Sequence, residues 1–253
     1  MGRVHLFEIE DQPWCPETIR EGCTAYITAV CEVGGLLAGI EPHLRRLAAA
    51  RPDAPLVDLC SGAGGPARLM AGMLDRPVHC TDLYPHQGAL ARAASMSGGR
   101  LSWTPEPVDA RAVPDGLQGP RTLVNAFHHF EPCDARRILE DAVAAREPIG
   151  VFELVGRQPH AVPGVLGLPL ATMALLPLMR PFRWEWLALT YLVPLLPLTV
   201  MWDGLVSCLR VYSPAELAAL VVGLDSYDWD IGSFPLPFPG AGTYLVGTPV
   251  TPP

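Results

Sequence analysis

The sequence predicts an α/β protein built on a doubly wound, seven-stranded sheet whose last strands are partly antiparallel. Three observations predict it. Residues Leu56 to Pro66 read Leu-Val-Asp-Leu-Cys-Ser-Gly-Ala-Gly-Gly-Pro, a short apolar strand that breaks into a glycine-rich turn before a helical pattern opens at Ala67. Further apolar runs recur at strand-helix intervals, with single polar residues at their ends. The last part carries Ser213-Pro-Ala-Glu216, a capping-box pattern with proline at the first helical position, followed by two strand-like runs.

Residues 1–50 read as helical cover. Pro16 suits a first helical turn, and Ile19, Tyr26, Ile27, Val30, Leu36, Leu37, Ile40, Leu44 and Leu47 recur at spacings compatible with one apolar face. Ahead of them, Phe7-Glu-Ile-Glu-Asp-Gln-Pro-Trp14 reads as a lid, or as an arm anchored by Phe7 and Trp14 with Glu8 and Asp11 in solvent.

The core is expected over 51–157 and 207–253. In its glycine turn, Gly62, Gly64 and Gly65 accept positive φ and carry no Cβ, so main-chain N–H groups can approach a ligand closely. Pro77-Val-His-Cys-Thr-Asp82 reads as a second buried strand. Asp82 falls about 20 positions past the loop, where nucleotide-binding doubly wound folds place an acidic residue against ribose hydroxyls.

An extended stretch through Trp103 leads to Val108-Asp109-Ala110, and Thr122-Leu-Val-Asn-Ala-Phe-His-His-Phe130 is a fourth strand ending in polar side chains. A helix starting near Asp134 runs through Ala145. The fifth strand, Pro148 to Val155, then sets Glu153 near its carboxyl end, the edge at which such sheets bind ligands. A helix from Pro214 to Val222 and strands Tyr227 to Phe234 and Thr243 to Gly247, joined through proline-rich residues 235–239, complete the sheet. Each carboxylate also has an ordinary structural reading: Asp58 as a loop cap, Asp82 and Asp109 as helix N-caps or turn residues.

Residues 158–206 form an apolar insertion after the fifth strand. Ala161 to Met179 and Leu187 to Trp202 carry no Lys, Arg or Glu, while Arg180-Pro-Phe-Arg-Trp-Glu-Trp186 between them is basic and aromatic. About 20 apolar residues are needed to cross a bilayer, so length permits one span at most. Pro163, Pro169, Pro177, Pro194 and Pro197 would interrupt the helices. Two broken helices are expected, serving as a substrate lid, a homodimer interface or a shallow peripheral membrane contact.

Composition bounds the function. A chain of 253 residues, 49% of them hydrophobic, can bury a full α/β core. A net charge of -8 without Lys/Arg clusters argues against a nucleic-acid partner. Seven scattered cysteines, with no C-x-x-C pair, fit reduced thiols in a cytoplasmic protein and indicate no metal site. The start lacks the apolar core of a signal peptide. Heavy Ala, Gly, Pro, Arg and Leu usage points to a GC-rich bacterial genome.

The series Val57-Asp-Leu-Cys-Ser-Gly-Ala-Gly-Gly65, Cys80-Thr-Asp-Leu83, Val108-Asp-Ala110 and Asn125-Ala-Phe-His-His-Phe130 resembles, in order and interval, the four ligand-binding motifs of class I S-adenosylmethionine-dependent methyltransferases. The resemblance covers Pro55 to Glu153 well and the tail more loosely. It implies a Rossmann-like fold with S-adenosyl-L-methionine as cofactor. On these positions, Asp58 and the loop through Gly64 would face the methionine part, Asp82 would hold the ribose and Leu83 would pack on the adenine. Asp109 and Ala110 would meet the adenine edge, and Asn125 belongs to the fourth motif. The family commonly has glycine where this chain has Cys60, so a side chain stands where the backbone usually comes closest to the cofactor.

The expected function is methyl transfer to a hydrophobic or aromatic small molecule, such as a lipid or secondary metabolite, walled by the insertion. His128 and His129 are candidate bases for an acceptor that must lose a proton, with Glu153 the next candidate; pocket shaping is the alternative role for all three. A nicotinamide-dependent oxidoreductase also needs a glycine loop and a ribose carboxylate, but no Tyr-x-x-x-Lys pair of the short-chain reductase type occurs. A non-catalytic membrane- or partner-binding protein retaining the fold is the third reading.

Overall fold

In a computed structural model of the chain, which describes residues 2–158, 161–237 and 240–250, the seven expected strands form one sheet. They are β1 (Leu56–Asp58), β2 (Val78–Cys80), β3 (Leu101–Trp103), β4 (Arg121–Val124), β5 (Ile149–Glu153), β6 (Tyr227–Pro235) and β7 (Ala241–Pro249), in the order β3-β2-β1-β4-β5-β7-β6. The first five strands are parallel. β7 inserts antiparallel between β5 and β6 and pairs Val151 with Leu245 on one side and Leu245 with Ile231 on the other. The mixed edge expected from the last two apolar runs is therefore present. Residues 238–239 of the expected 235–239 connection lie outside the described residues.

Strand alternation divides the core into two layers. Leu56, Val78, Val124 and Phe152 pack beneath α2 (Glu41–Ala49), α3 (Gly65–Leu74) and α4 (Gln87–Met96). Val57, Leu123, Ile149, Val151 and Leu245 face the opposite layer, formed by α5 (Pro132–Ala145) and α10 (Pro214–Leu220). Ser213 caps α10 in the expected box: its side chain accepts from the Glu216 N–H, while the Glu216 carboxylate accepts from the Ser213 N–H.

The cover helix α1 (Glu17–Gly34) and the insertion share a third core. Ile19, Cys23 and Tyr26 pack with Leu176, Met179, Trp186, Leu196 and Val200, and the indole of the fully buried Trp186 donates to the Thr18 carbonyl at 2.9 Å. The insertion comprises α6 (Ala161–Leu166), α7 (Leu168–Leu175), α8 (Trp184–Leu187), which continues into a π-helical turn through Leu192, and α9 (Leu195–Arg210). These are more pieces than the two broken helices expected. Their prolines open helices more than they interrupt them: Pro169 lies in the first turn of α7, Pro194 is the N-cap of α9 and Pro197 is in its first turn. There the missing N–H has no helical partner to lose. The expected boundary at 206/207 falls inside α9, and residues 159–160 lie outside the described set.

Among the described residues, no single helix is long and apolar enough to cross a membrane. One pair, Trp184–Leu192 with Leu195–Arg210, reaches that length and composition only together, bent by 78°. All seven cysteines are free thiols.

Candidate active site at the carboxyl edge of the sheet

The chain leaves β1 through a turn held from three strands. Asp58, 3% exposed, accepts from the Thr122 hydroxyl on β4 at 2.8 Å, and its carbonyl accepts from Ser61 Oγ at 2.8 Å and from the Thr81 N–H at 2.9 Å. Burial pushes the Asp58 carboxyl up to about 6, and the Ser61 and Thr122 hydrogen bonds only partly offset it. Cys60 has φ +59°, the left-handed region that glycine occupies without strain. The position where the family commonly has glycine is thus one that calls for it by geometry.

Gly62 and Gly64 also have positive φ, +54° and +74°. The space where a Cβ on Gly62 would stand is open, so this stretch of backbone is uncovered. Gly65, by contrast, lies directly beneath Thr28 of α1, and a Cβ there would collide with it. The cover helix therefore passes over the start of α3 and leaves Gly62 free.

Asp82 lies two residues beyond β2. Its carboxylate accepts from the Gly62 N–H and from the Tyr84 N–H, both at 2.8 Å. Leu83 and Tyr84 beside it are 37% and 84% exposed, a large apolar surface next to an anchored carboxylate. The Val108 N–H donates to the Asp82 carbonyl at 2.8 Å, which brings the 108–110 loop to the same strand tip. Ala110 is buried there. The Asp109 carboxylate is clasped by Arg111, at 2.7 Å to Nη2, and is held below its usual range by it. Asn125, at φ +54°, accepts from the Leu154 N–H at 3.3 Å and ties the tip of β4 to that of β5.

A second cluster sits at the β4 and β5 tips. Glu153, 1% exposed, accepts from the His128 N–H at 2.8 Å and is 2.7 Å from His128 Nδ1. His128, also 1% exposed, follows in a 3-10 turn over Phe127–His129. Burial works against a charged imidazole, but Glu153 and then Glu8 outweigh it and raise His128 to about 10. His129, half-buried, meets Asp11 at 3.1 Å. Arg210 at the end of α9 reaches both Glu8 and Asp11 at 3.2 Å.

Glu8 and Asp11 come from the N-terminal arm; Asp11 is exposed as expected, but for Glu8 the expected arrangement is reversed. Glu8 is fully buried, whereas Phe7 and Trp14 are 52% and 64% exposed. Polar contacts hold the arm, alongside one aromatic contact of Phe7 with Trp202, whose ring centroids are 5.8 Å apart. Asp203 accepts from the Ile9 N–H at 2.6 Å and the Glu10 N–H at 3.1 Å, and Trp202 donates to the Phe7 carbonyl at 3.1 Å. Arg3 lies over the Tyr212 ring, 4.2 Å from its centroid, and donates to the His128 and Phe130 carbonyls at 3.1 and 2.8 Å.

Solved structures share this architecture. The plantazolicin methyltransferase BpumL, in complex with SAH, superposes with a TM-score of 0.54 at 9% identity, over 92% of this chain and 98% of that one. The same enzyme with a pentazolic desmethylPZN analog and SAH gives 0.54 at 10% identity, covering 92% and 99%. An O-methyltransferase family 2 protein from Planctomyces limnophilus, in complex with apigenin, gives 0.52 at 15% identity, over 90% of this chain and 62% of that one. The chain has the class I methyltransferase fold. Neither a family model nor a curated protein sequence matches it, and at these identities the likeness is one of fold.

Within that fold, Cys60, Gly62, Gly64, Asp82, Leu83, Asp109 and Ala110 gather around the β1 and β2 tips, and Asn125, His128, His129 and Glu153 around those of β4 and β5. Asp58 lies under the turn, with its carboxylate directed to Thr122. His128 and Glu153 are buried against each other, so as they stand neither reaches an acceptor. Sequence reasoning did not place Arg3, Asp203 or Arg210 near the site. The contacts of Arg3 with His128, Asp203 with Ile9 and Arg210 with Asp11 each span more than 120 residues, and no local pattern marks them.

Proposed function

We propose that the protein is an S-adenosylmethionine-dependent methyltransferase acting on a hydrophobic or aromatic small molecule, a lipid or secondary metabolite being the class that suits its apolar surroundings. The observation that carries this is the Asp82 carboxylate, fixed by two amides beside the open backbone at Gly62 and the exposed faces of Leu83 and Tyr84. A fixed anion suits paired ribose hydroxyls, and an uncovered apolar face suits a purine. Similar structures that hold SAH support the same reading.

In this reading Cys60, Gly62 and Gly64 shape the turn along the methionine part, with Asp58 stiffening it from below. Asp82 binds the ribose, Leu83 packs on the adenine, the 108–110 loop borders the adenine edge, and Asn125 sets the spacing between the β4 and β5 tips. Arg111 leaves Asp109 less able to act as a hydrogen-bond acceptor, so Ala110 and the loop backbone carry most of that contact. The cofactor supplies a methyl group on a sulfonium for in-line displacement, and the residues contribute chiefly alignment. Glu153 and His128 hold the acceptor side of the edge in place. Of the two histidines, only His129 has appreciable exposure on the acceptor side.

Hydrophobic acceptors are favoured by the insertion, whose α9 packs against the histidine turn. A second reading of its outer surface, peripheral contact with a membrane, draws on exposed Trp184, Leu192, Val193 and Leu195, at 49–81%. Calorimetric titration tests the main proposal. Saturable binding of S-adenosylhomocysteine is expected; binding of a nicotinamide dinucleotide with none of S-adenosylhomocysteine overturns it. Flotation with liposomes tests the membrane reading, and recovery only in the unbound fraction refutes it.

A further inference from the structure

We infer that Glu8, His128 and His129 form a site for one divalent transition-metal ion of the zinc or cobalt kind, clamping the N-terminal arm to the tips of β4 and β5. The inference concerns ion binding and does not depend on the methyl-transfer reading.

Both imidazoles are arranged as metal-ligating histidines are. His128 Nδ1 is 2.7 Å from Glu153 Oε2 and His129 Nδ1 is 3.1 Å from Asp11 Oδ2. A carboxylate on Nδ1 fixes the ring and its tautomer and leaves the Nε2 lone pair for an ion. The two rings lie side by side, tilted by 32° with 4.3 Å between centroids, and the Nε2 atoms of both approach the one carboxylate of Glu8. His128 Nε2 is 3.5 Å from Glu8 Oε1, and His129 Nε2 is 3.6 Å from Glu8 Oε2.

These separations are long for hydrogen bonds and short for unrelated groups. Ligand atoms about 2.1 Å from a tetrahedral zinc lie roughly 3.4 Å from one another, close to what is found. His128 Nε2 and Glu8 Oε2 are buried without a hydrogen-bond partner. Two unpaired buried polar atoms in one small cluster are costly unless something there satisfies them. Ser207 Oγ donates to Glu8 Oε1 at 3.1 Å and so orients the carboxylate from behind. The exposed side of His129 leaves room for a water as a further ligand.

Arg210 is the feature that opposes a cation, since its Nη1 is 3.2 Å from Glu8 Oε1. The charge count answers it. Glu8, Asp11 and Glu153 bring three negative charges and Arg210 one positive; an ion entering the site takes the place of the proton that Glu153 and Glu8 hold on His128, and with both imidazoles then neutral a dication balances the remaining charge of minus two. The other acid-rich groups lack this arrangement. Asp203, beside Glu10 and Cys23, already accepts from two backbone amides; Glu21, beside Glu17 and His86, pairs with Arg183 at 2.6 Å.

The test uses the full chain after treatment with a chelator, titrated with Zn2+ or Co2+ by calorimetry and, for Co2+, by its visible absorption. Expected are one ion per chain, a rise in Tm that saturates at one equivalent, and slower proteolysis of the arm. His129→Ala and Glu8→Gln should abolish saturable binding, Asp11→Asn should weaken it about 10- to 100-fold through the imidazole it orients, and His86→Ala should leave it unchanged. His129 is half-exposed and Glu8→Gln nearly isosteric, so circular dichroism should show both variants folded. Absence of one-per-chain binding by the wild-type protein, or binding that survives His129→Ala in a folded variant, overturns the inference. Loss of binding in His86→Ala alone would assign the ion to the other cluster and equally overturns it.

Discussion

Asp82 offers the most decisive perturbation. Its carboxylate accepts two backbone N–H bonds at 2.8 Å, one from the glycine turn and one from the strand tip. The oxygens are therefore oriented before any ligand arrives, and little entropy is lost in using them. Hydrogen bonds to a charged acceptor contribute about 1.5–3 kcal/mol each, so two ribose hydroxyls amount to about 3–5 kcal/mol after discounting for partial exposure. At about 1.4 kcal/mol per tenfold, Asp82→Ala should weaken S-adenosylhomocysteine binding roughly 100- to 4,000-fold. Asp82→Asn keeps the shape but directs an amide donor at one of the two backbone donors, and should lose nearly as much. Calorimetry reads the affinity; Asp228→Ala, on the exposed face of β6, is the control. An Asp82→Ala variant that keeps its fold and binds within threefold of wild type would refute the assignment of the ribose to this carboxylate.

Three further outcomes follow from the same geometry. Cys60→Gly should leave stability to urea unchanged or raise it by up to about 1 kcal/mol, because relief at φ +59° offsets the added freedom of the unfolded chain; Cys60→Val should lower it, and the opposite ranking would remove strain from the account. Asp58 has a folded-state carboxyl near 6, above its ordinary 3.8, so the folded form binds more protons between about pH 4 and 6 and stability falls as pH rises through that window. The full drop is about 3 kcal/mol, and denaturation midpoints of Asp58→Asn across that range should lack this component. Gly65→Ala should destabilise by about 1–3 kcal/mol, since its methyl meets Thr28, and Thr28→Gly should recover most of that loss in a double-mutant cycle; simple additivity of the two would break the link between α1 and the glycine turn.

What could be read from the sequence was what short-range pattern encodes. Alternating apolar strands, the glycine turn and the Ser213 capping box each lie within a few residues and emerge where expected. The arm was misread because its signal is long-range. Glu8 on a charged segment looks solvated, yet it is buried by His128, Ser207 and Arg210, which lie 120 to 202 positions further along the chain. Trp14 looks like an anchor, yet it is exposed, and the arm is held by backbone amides meeting Asp203 together with the Phe7–Trp202 contact. The insertion was misread for a similar reason. In the sequence, prolines look like breaks in two helices, but Pro169, Pro194 and Pro197 sit at helix starts, and Trp186 and Leu196 make the insertion one core with α1.

Cover helix, arm and insertion together act on the two halves of the carboxyl edge in different ways. At the β1 and β2 tips, α1 presses on Gly65 but stops short of Gly62, so the edge beside Asp82 stays open to a ligand entering from solvent. At the β4 and β5 tips, Glu8 and Arg3 lie across the histidine turn, and the only side chain of that pair with appreciable exposure is His129. A donor can thus be admitted without moving the chain, whereas an acceptor reaching the same edge must approach past His129 or displace the arm. Which of these happens depends on how firmly α9 holds the arm, through Asp203 on the Ile9 and Glu10 amides, Trp202 on the Phe7 carbonyl, Ser207 on Glu8 and Arg210 on Glu8 and Asp11. In the proposed function, acceptor access is in this way coupled to the insertion through α9, the helix that holds the arm.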